Sequence, residues 1–224
     1  MKLLIALMIS LQTMDTNGQV AGYLKQFATN KTIPPAVEKN VLTALSFFPE
    51  LKQTNISFIM KPKLTSSVMQ AQPVFRTLLQ RRKNRRYRIN ISTEFRLISS
   101  ILPILEIPDN VMIGWIGHEL GHILDYEGMS NVKMITFGYR YYTSSKFVKH
   151  AEMMADSLAV ERGMGNYIVT TKRFILDHAD LPKAYKDKIS RLYLSPDVIV
   201  EQVKLWEEKM LEQKNEEMKK EEEL

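Results

Sequence analysis

Apolar positions first recur at helical spacing in residues 34–48. Val37, Val41, Leu42, Leu45 and Phe48 share one face there and predict an amphipathic helix. The period then shortens. Residues 56–61, 67–72, 74–80 and 86–92 are short runs rich in Ile, Val, Phe, Tyr, Ser and Thr, set apart by polar or basic clusters. They predict three or four strands of a small, mostly antiparallel sheet. From Asn110 onward the pattern is helical almost throughout, with helices expected over 110–126, 144–162, 166–178 and 183–193. A last one starts near Ser195, where Pro196 suits the first turn. A helix, a small sheet and a helical C-terminal half make an α+β fold. No Pro/Gly/Ser linker or internal repeat interrupts residues 19–206, which read as one domain. Residues 207–224, almost wholly Glu, Lys, Gln and Met, read as a charged helical tail.

The beginning of the chain departs from this pattern. Lys2, an apolar run over residues 3–11 and a polar stretch through Asp15 and Asn17 have the layout of a secretory signal peptide. Cleavage after Gly18 would leave an exported protein. No later segment reaches about 18 uninterrupted apolar residues, so no integral membrane segment is expected in the mature chain.

Composition narrows the chemistry. With 45% hydrophobic and 25% charged residues the chain is an ordinary globular protein, neither disordered nor polytopic. It has no cysteine, which excludes disulfide frameworks, thiolate zinc sites, iron–sulfur clusters and thiol nucleophiles. There are four histidines, His118, His122, His150 and His178, so a metal site must combine imidazoles with carboxylates. The 31 Lys+Arg outnumber the 25 Asp+Glu, and the densest basic run is 81–88. Such a run can meet nucleic acid or an acidic surface. It also reads as a hairpin turn near Lys83–Asn84 with solvated flanks that block edge-to-edge pairing, and that reading is preferred to a nucleic-acid partner.

The informative segment is His118-Glu119-Leu120-Gly121-His122, inside a strongly apolar helical stretch. Two histidines four residues apart lie one turn apart on one helix face, so both imidazoles reach a single ion. Zinc accepts neutral imidazole, and a catalytic zinc has three protein ligands plus a water. Glu119, next to the first ligand, is placed to take the proton of the zinc-activated water and pass it to the leaving amine. Gly114, Gly117 and Gly121 let other elements approach closely, and Gly128 offers a helix stop. The third ligand must come from elsewhere. In the run from His150 to Ala159, Glu152, Ala155, Asp156 and Ala159 share one helix face. Glu152 is the candidate ligand, and Asp156 the acceptor that would orient a ligand histidine. Asp125 suits a helix-end role and His150 points away from Glu152. His178, Tyr139, Tyr141 and Tyr142 remain equal candidates to stabilise an oxyanion.

His118-Glu119-x-x-His122 followed thirty residues later by Glu152-x-x-Ala155-Asp156 resembles the gluzincin metallopeptidases, closest to the minigluzincins and the catalytic cores of the CAAX prenyl protease and HtpX group. The resemblance spans residues 56–163. It implies a zincin-like fold with the small sheet beside the active-site helix, and one zinc on His118, His122 and Glu152. Glu119 would be the base and Asp156 the orienting residue. It also implies an extended peptide or protein substrate paired with the strand preceding that helix, here Tyr87, Arg88, Ile89, Asn90 and Ile91. Two functions are expected to compete: an exported zinc metalloendopeptidase, and a catalytically silent zincin-fold binding or regulatory module.

Overall fold

The structure is a computed structural model that describes residues 20, 22–64, 67–78, 80–98, 100–177 and 181–222. The expected leader, residues 1–18, lies outside the described residues, as does His178.

Helix α1 (Glu38–Ser46) follows a turn begun by Pro35 and buries Val41, Leu42, Ala44 and Leu45, the spacing read from the sequence. The main sheet holds β1 (Lys31–Thr32), β2 (Asn55–Lys61), β3 (Met69–Pro73) and β4 (Arg86–Ser92) in the order β1-β2-β4-β3. β2 pairs parallel with both β1 and β4, and β3 pairs antiparallel with β4. The expected mostly antiparallel sheet is therefore a mixed one. Alternating burial reports which face a residue occupies, not the direction of its strand. Here β4 inserts between its two predecessors and so runs parallel to β2. The described residues of 74–80 are not a strand. Val74 N–H closes the β3–β4 ladder on Arg86 O, the chain turns at Phe75–Thr77, and Thr77 Oγ1 accepts the Arg86 N–H. A short hairpin, β5 (Glu94–Arg96) with β6 (Ile101–Pro103), forms a second sheet that the pattern did not predict.

Helix α2 (Asp109–Gly128) is the central rod. Every residue from Val111 to Ile123 is buried, and α1, β3 and the later helices pack around it. Pro108 precedes it, and Asp109 in its first turn complements the helix dipole and pairs with Lys39 and Asn40. After α3 (Asn131–Thr143) come α4 (Ser145–Ala159), α5 (Gly165–Asp177), α6 (Lys183–Leu192) and α7 (Pro196–Glu222). Gly163, at φ 82°, breaks the path between α4 and α5 within a π-helical turn. α3 was not foreseen. The α+β arrangement is the one expected, with the small sheet against α2 and a helical C-terminal half. Among the described residues no helix is long and apolar enough to cross a membrane.

Candidate metal centre

α2 and α4 build the site between them. Gly121 makes this possible: a Cβ there would sit 2.4 Å from Ala155 O, so the two backbones touch where a side chain would hold them apart. Gly114 does the same against the Tyr167 carbonyl of α5. At the α2–α4 contact, α2 presents His118, Glu119 and His122 and α4 presents Glu152 and Asp156, all buried. The structure thus brings together every residue expected for the site except the substrate strand.

His118 and His122 stand edge to face, ring centroids 4.8 Å apart. Their Nε2 atoms lie 3.1 and 3.5 Å from the same Glu152 oxygen. Three potential donor atoms therefore lie within 4.8 Å of one another. On its far side His118 Nδ1–H donates to Asp156 Oδ1 at 2.8 Å, which fixes the tautomer and leaves the Nε2 lone pair facing Glu152. Lone pairs and a carboxylate converging on one point repel unless a cation or proton lies among them. Burial alone would pull the His118 imidazole down, but the Asp156 charge and hydrogen bond, with Glu152, outweigh it and lift it to about 10. Burial works to raise both acids, yet His122 and His118 hold Glu152 well below the usual carboxylate range. Lys172 and His118 hold Asp156 down in the same way. The site is built to hold positive charge. Two imidazole nitrogens and one carboxylate oxygen are a donor set that could hold a metal ion such as zinc.

Several partners were invisible in the sequence. Lys172 on α5 places Nζ 3.1 Å from Asp156 Oδ2, and the Leu194 N–H donates to the same oxygen at 3.4 Å. Tyr193 lies 5.4 Å from the His118 ring, with Lys172 Nζ 4.0 Å from its own ring centre. Burial and the Glu152 charge push the Tyr193 phenol far up, so it stays protonated. These contacts join α4 to α5 and to the α6–α7 connection, and no local spacing encodes them. His122 is held differently. Its Nδ1 has no hydrogen-bond partner among the described residues, and its ring stacks on Tyr126, which stacks on Tyr87. Of the oxyanion candidates among the described residues, Tyr141 reaches the metal ligands, its hydroxyl donating to Glu152 Oε1, and Tyr142 lines the same cleft. Tyr139, Tyr142 and His150 are exposed. Asp125 is half-buried, and burial raises its carboxyl.

The strand Tyr87–Ile91 cannot pair with a substrate, which corrects the sequence reading. β4 lies between β2 and β3, both its edges are occupied, and Tyr87, Ile89, Asn90 and Ile91 are buried. Arg88 is exposed and donates to Gln72 of the neighbouring strand. The open edge belongs to β3. Val68 O accepts from Ser92 N and Val74 N donates to Arg86 O, so the even-numbered residues face β4. Met69, Ala71 and Pro73 then turn their backbone groups outward. The outward Ala71 N–H donates to Glu119 Oε2 at 2.5 Å, and burial raises the Glu119 carboxyl against the pull of both histidines. Beside this edge opens a cleft of about 370 Å³ with Glu119, His122 and Glu152 on its floor and α3 along one wall.

The basic run divides. Arg81, Arg82, Lys83 and Arg86 are exposed, around a turn at Arg82–Asn84. Arg85 is buried: its guanidinium donates to Tyr126 O, Met129 O and Asn131 Oδ1, closing the C-terminal end of α2.

No family model, curated protein or solved structure matches this chain.

Proposed function

We propose that the chain is a zinc-dependent metalloendopeptidase of gluzincin type, acting on a peptide or protein segment laid as an extended strand along β3. The observation that carries this reading is the convergence of His118, His122 and Glu152 beside Glu119, with Glu119, His122 and Glu152 on the floor of an open cleft that borders the β3 edge. A zinc ion held by those three residues would polarise the scissile carbonyl and acidify the attacking water.

The chain's own residues supply the rest. The Ala71 N–H fixes one oxygen of Glu119, leaving the other for the proton of the attacking water. Glu119 takes that proton as the new C–O bond forms. It returns it to the amide nitrogen as the C–N bond breaks, leaving a carboxylate and an amine. Tyr193, protonated and beside His118, offers a hydrogen bond to the oxygen that gains charge. The outward backbone groups of β3 that Glu119 does not occupy, among them the Ala71 carbonyl, bind and orient the substrate backbone, the β-augmentation mode, with the apolar cleft receiving side chains.

Metal analysis of purified protein tests the ligand set. Wild type is expected to hold about one zinc per chain and Glu152→Ala almost none. Protein purified without zinc, or a Glu152→Ala variant that binds it normally, would falsify the assignment.

A further inference from the structure

Helix α3 has two unlike faces. Its inner face buries Met134 and turns Phe137, Gly138 and Tyr141 toward the cleft. On the other side Val132, Ile135, Tyr139 and Tyr142 project within about a quarter of the helix circumference. They are 73%, 53%, 70% and 93% exposed, so each keeps more than half of its surface in solvent. Val132 borders the groove beside Asp125 and Tyr142 the rim of the cleft, yet the row as a whole packs against nothing that covers it among the described residues.

The charge around the row has one sign. Residues 128–151 contain four Lys and Arg and no Asp or Glu, and Lys133, Arg140, Lys146 and Lys149 are all exposed. A second acid-free stretch, residues 51–93, contains ten Lys and Arg. Arg85 and the Gln80 carbonyl both bond Asn131, the first residue of α3, and so tie this stretch to the helix start. The exposed Arg81, Arg82 and Lys83 therefore stand near the N-terminal end of the apolar row. Two carboxylates lie near it at the end of α2, both half-buried: Asp125, in the groove between the end of α2, α3 and Phe147 of α4, and Glu127, whose charge acts on Tyr87.

We propose that α3, with the 81–83 turn, docks on the surface of an anionic lipid bilayer. Val132, Ile135, Tyr139 and Tyr142 enter the headgroup layer, and the Lys and Arg side chains rest on lipid phosphates. Nucleic acid would satisfy the cations but leave Val132 and Ile135 in water, whereas a bilayer surface takes both. Tyrosine, with an apolar ring and a polar tip, suits that boundary. Because the inner face of α3 walls the cleft, docking brings the cleft to the lipid surface. The metal ligands take no part in docking, so failure here leaves the peptidase reading standing.

Co-sedimentation with vesicles tests it, using the full chain so that any affinity from residues 3–11 is common to all proteins compared. The vesicles are equal parts phosphatidylcholine and phosphatidylglycerol, with phosphatidylcholine alone as the neutral control. One variant carries Val132→Ser, Ile135→Ser, Tyr139→Ser and Tyr142→Ser; another carries Arg81→Glu, Arg82→Glu and Lys83→Glu. All seven side chains are exposed, so unfolding midpoints should match wild type. Partition onto the mixed vesicles is expected to fall at least about tenfold in each variant, and wild-type partition to weaken with added salt. Variants that partition like wild type overturn the proposal. So does wild-type protein that ignores these vesicles while binding single-stranded RNA or a polyglutamate peptide.

Discussion

At the scale of single residues the site depends on Asp156. It has no exposed surface, and it joins His118, Lys172 and the Leu194 amide. Asp156→Asn keeps the shape but gives His118 Nδ1–H a weaker acceptor. It should lower zinc affinity about 10- to 100-fold with the fold retained, measured by competition with a chromophoric chelator. Lys172→Met removes the cation that shares the Asp156 carboxylate and leaves a buried charge short of a partner. The expected loss is about 3–5 kcal/mol in a urea titration, and an unchanged midpoint would show that the pair is dispensable. Glu152 and Asp156 were readable in the sequence because one helix turn separates them, a relation that spacing encodes. Lys172 reaches the same site from α5 and Tyr193 from the segment just after α6, and nothing local announces that.

At the scale of elements, α2 and α4 fit because one lacks a side chain where the other passes. Gly121→Ala drives a Cβ into the Ala155 carbonyl, and backbone cannot rotate away as a side chain can. The variant should lose about 1–3 kcal/mol and bind zinc more weakly, since α4 carries Glu152. Normal stability together with normal zinc affinity would contradict the close approach. At the other end of α2, Arg85→Met strips the donors from two helix-end carbonyls and from Asn131. A cost of about 2–4 kcal/mol is expected by thermal or chemical unfolding. The run 81–88 read as a uniform charge cluster, yet one member is structural. Sequence alone cannot separate a buried Arg from its exposed neighbours when the carbonyls it caps lie some forty residues away. Helix periodicity disclosed α1, α2 and α4 because each buries one coherent stripe or is buried throughout. α3 escaped notice because its outer face is nearly as apolar as its inner one.

At the scale of the whole molecule, the sheet shows how far pattern reading extends. β4 was found at its bounds, because alternating burial marks a strand, but its direction and neighbours were not. Those depend on the chain leaving β2, crossing to the β3 edge and returning between them. That topology moved the expected substrate strand into the interior and put β3 at the cleft. A metal held by residues from α2 and α4 also links two parts of the fold, so binding should stabilise the whole. Zinc at about 100 times its dissociation constant contributes about 2.7 kcal/mol, seen as a higher unfolding midpoint than after chelation.

In the proposed reaction Glu119 moves the proton while His118, His122 and Glu152 hold the zinc, and this division of labour is open to a single experiment. It is tested most directly by digesting a peptide library with wild type and Glu119→Gln, with the zinc content of both samples measured in parallel. Equal zinc in the two proteins and cleavage by wild type only is the expected result. Cleavage that persists in Glu119→Gln, or zinc-loaded wild type that cuts no peptide, would contradict it.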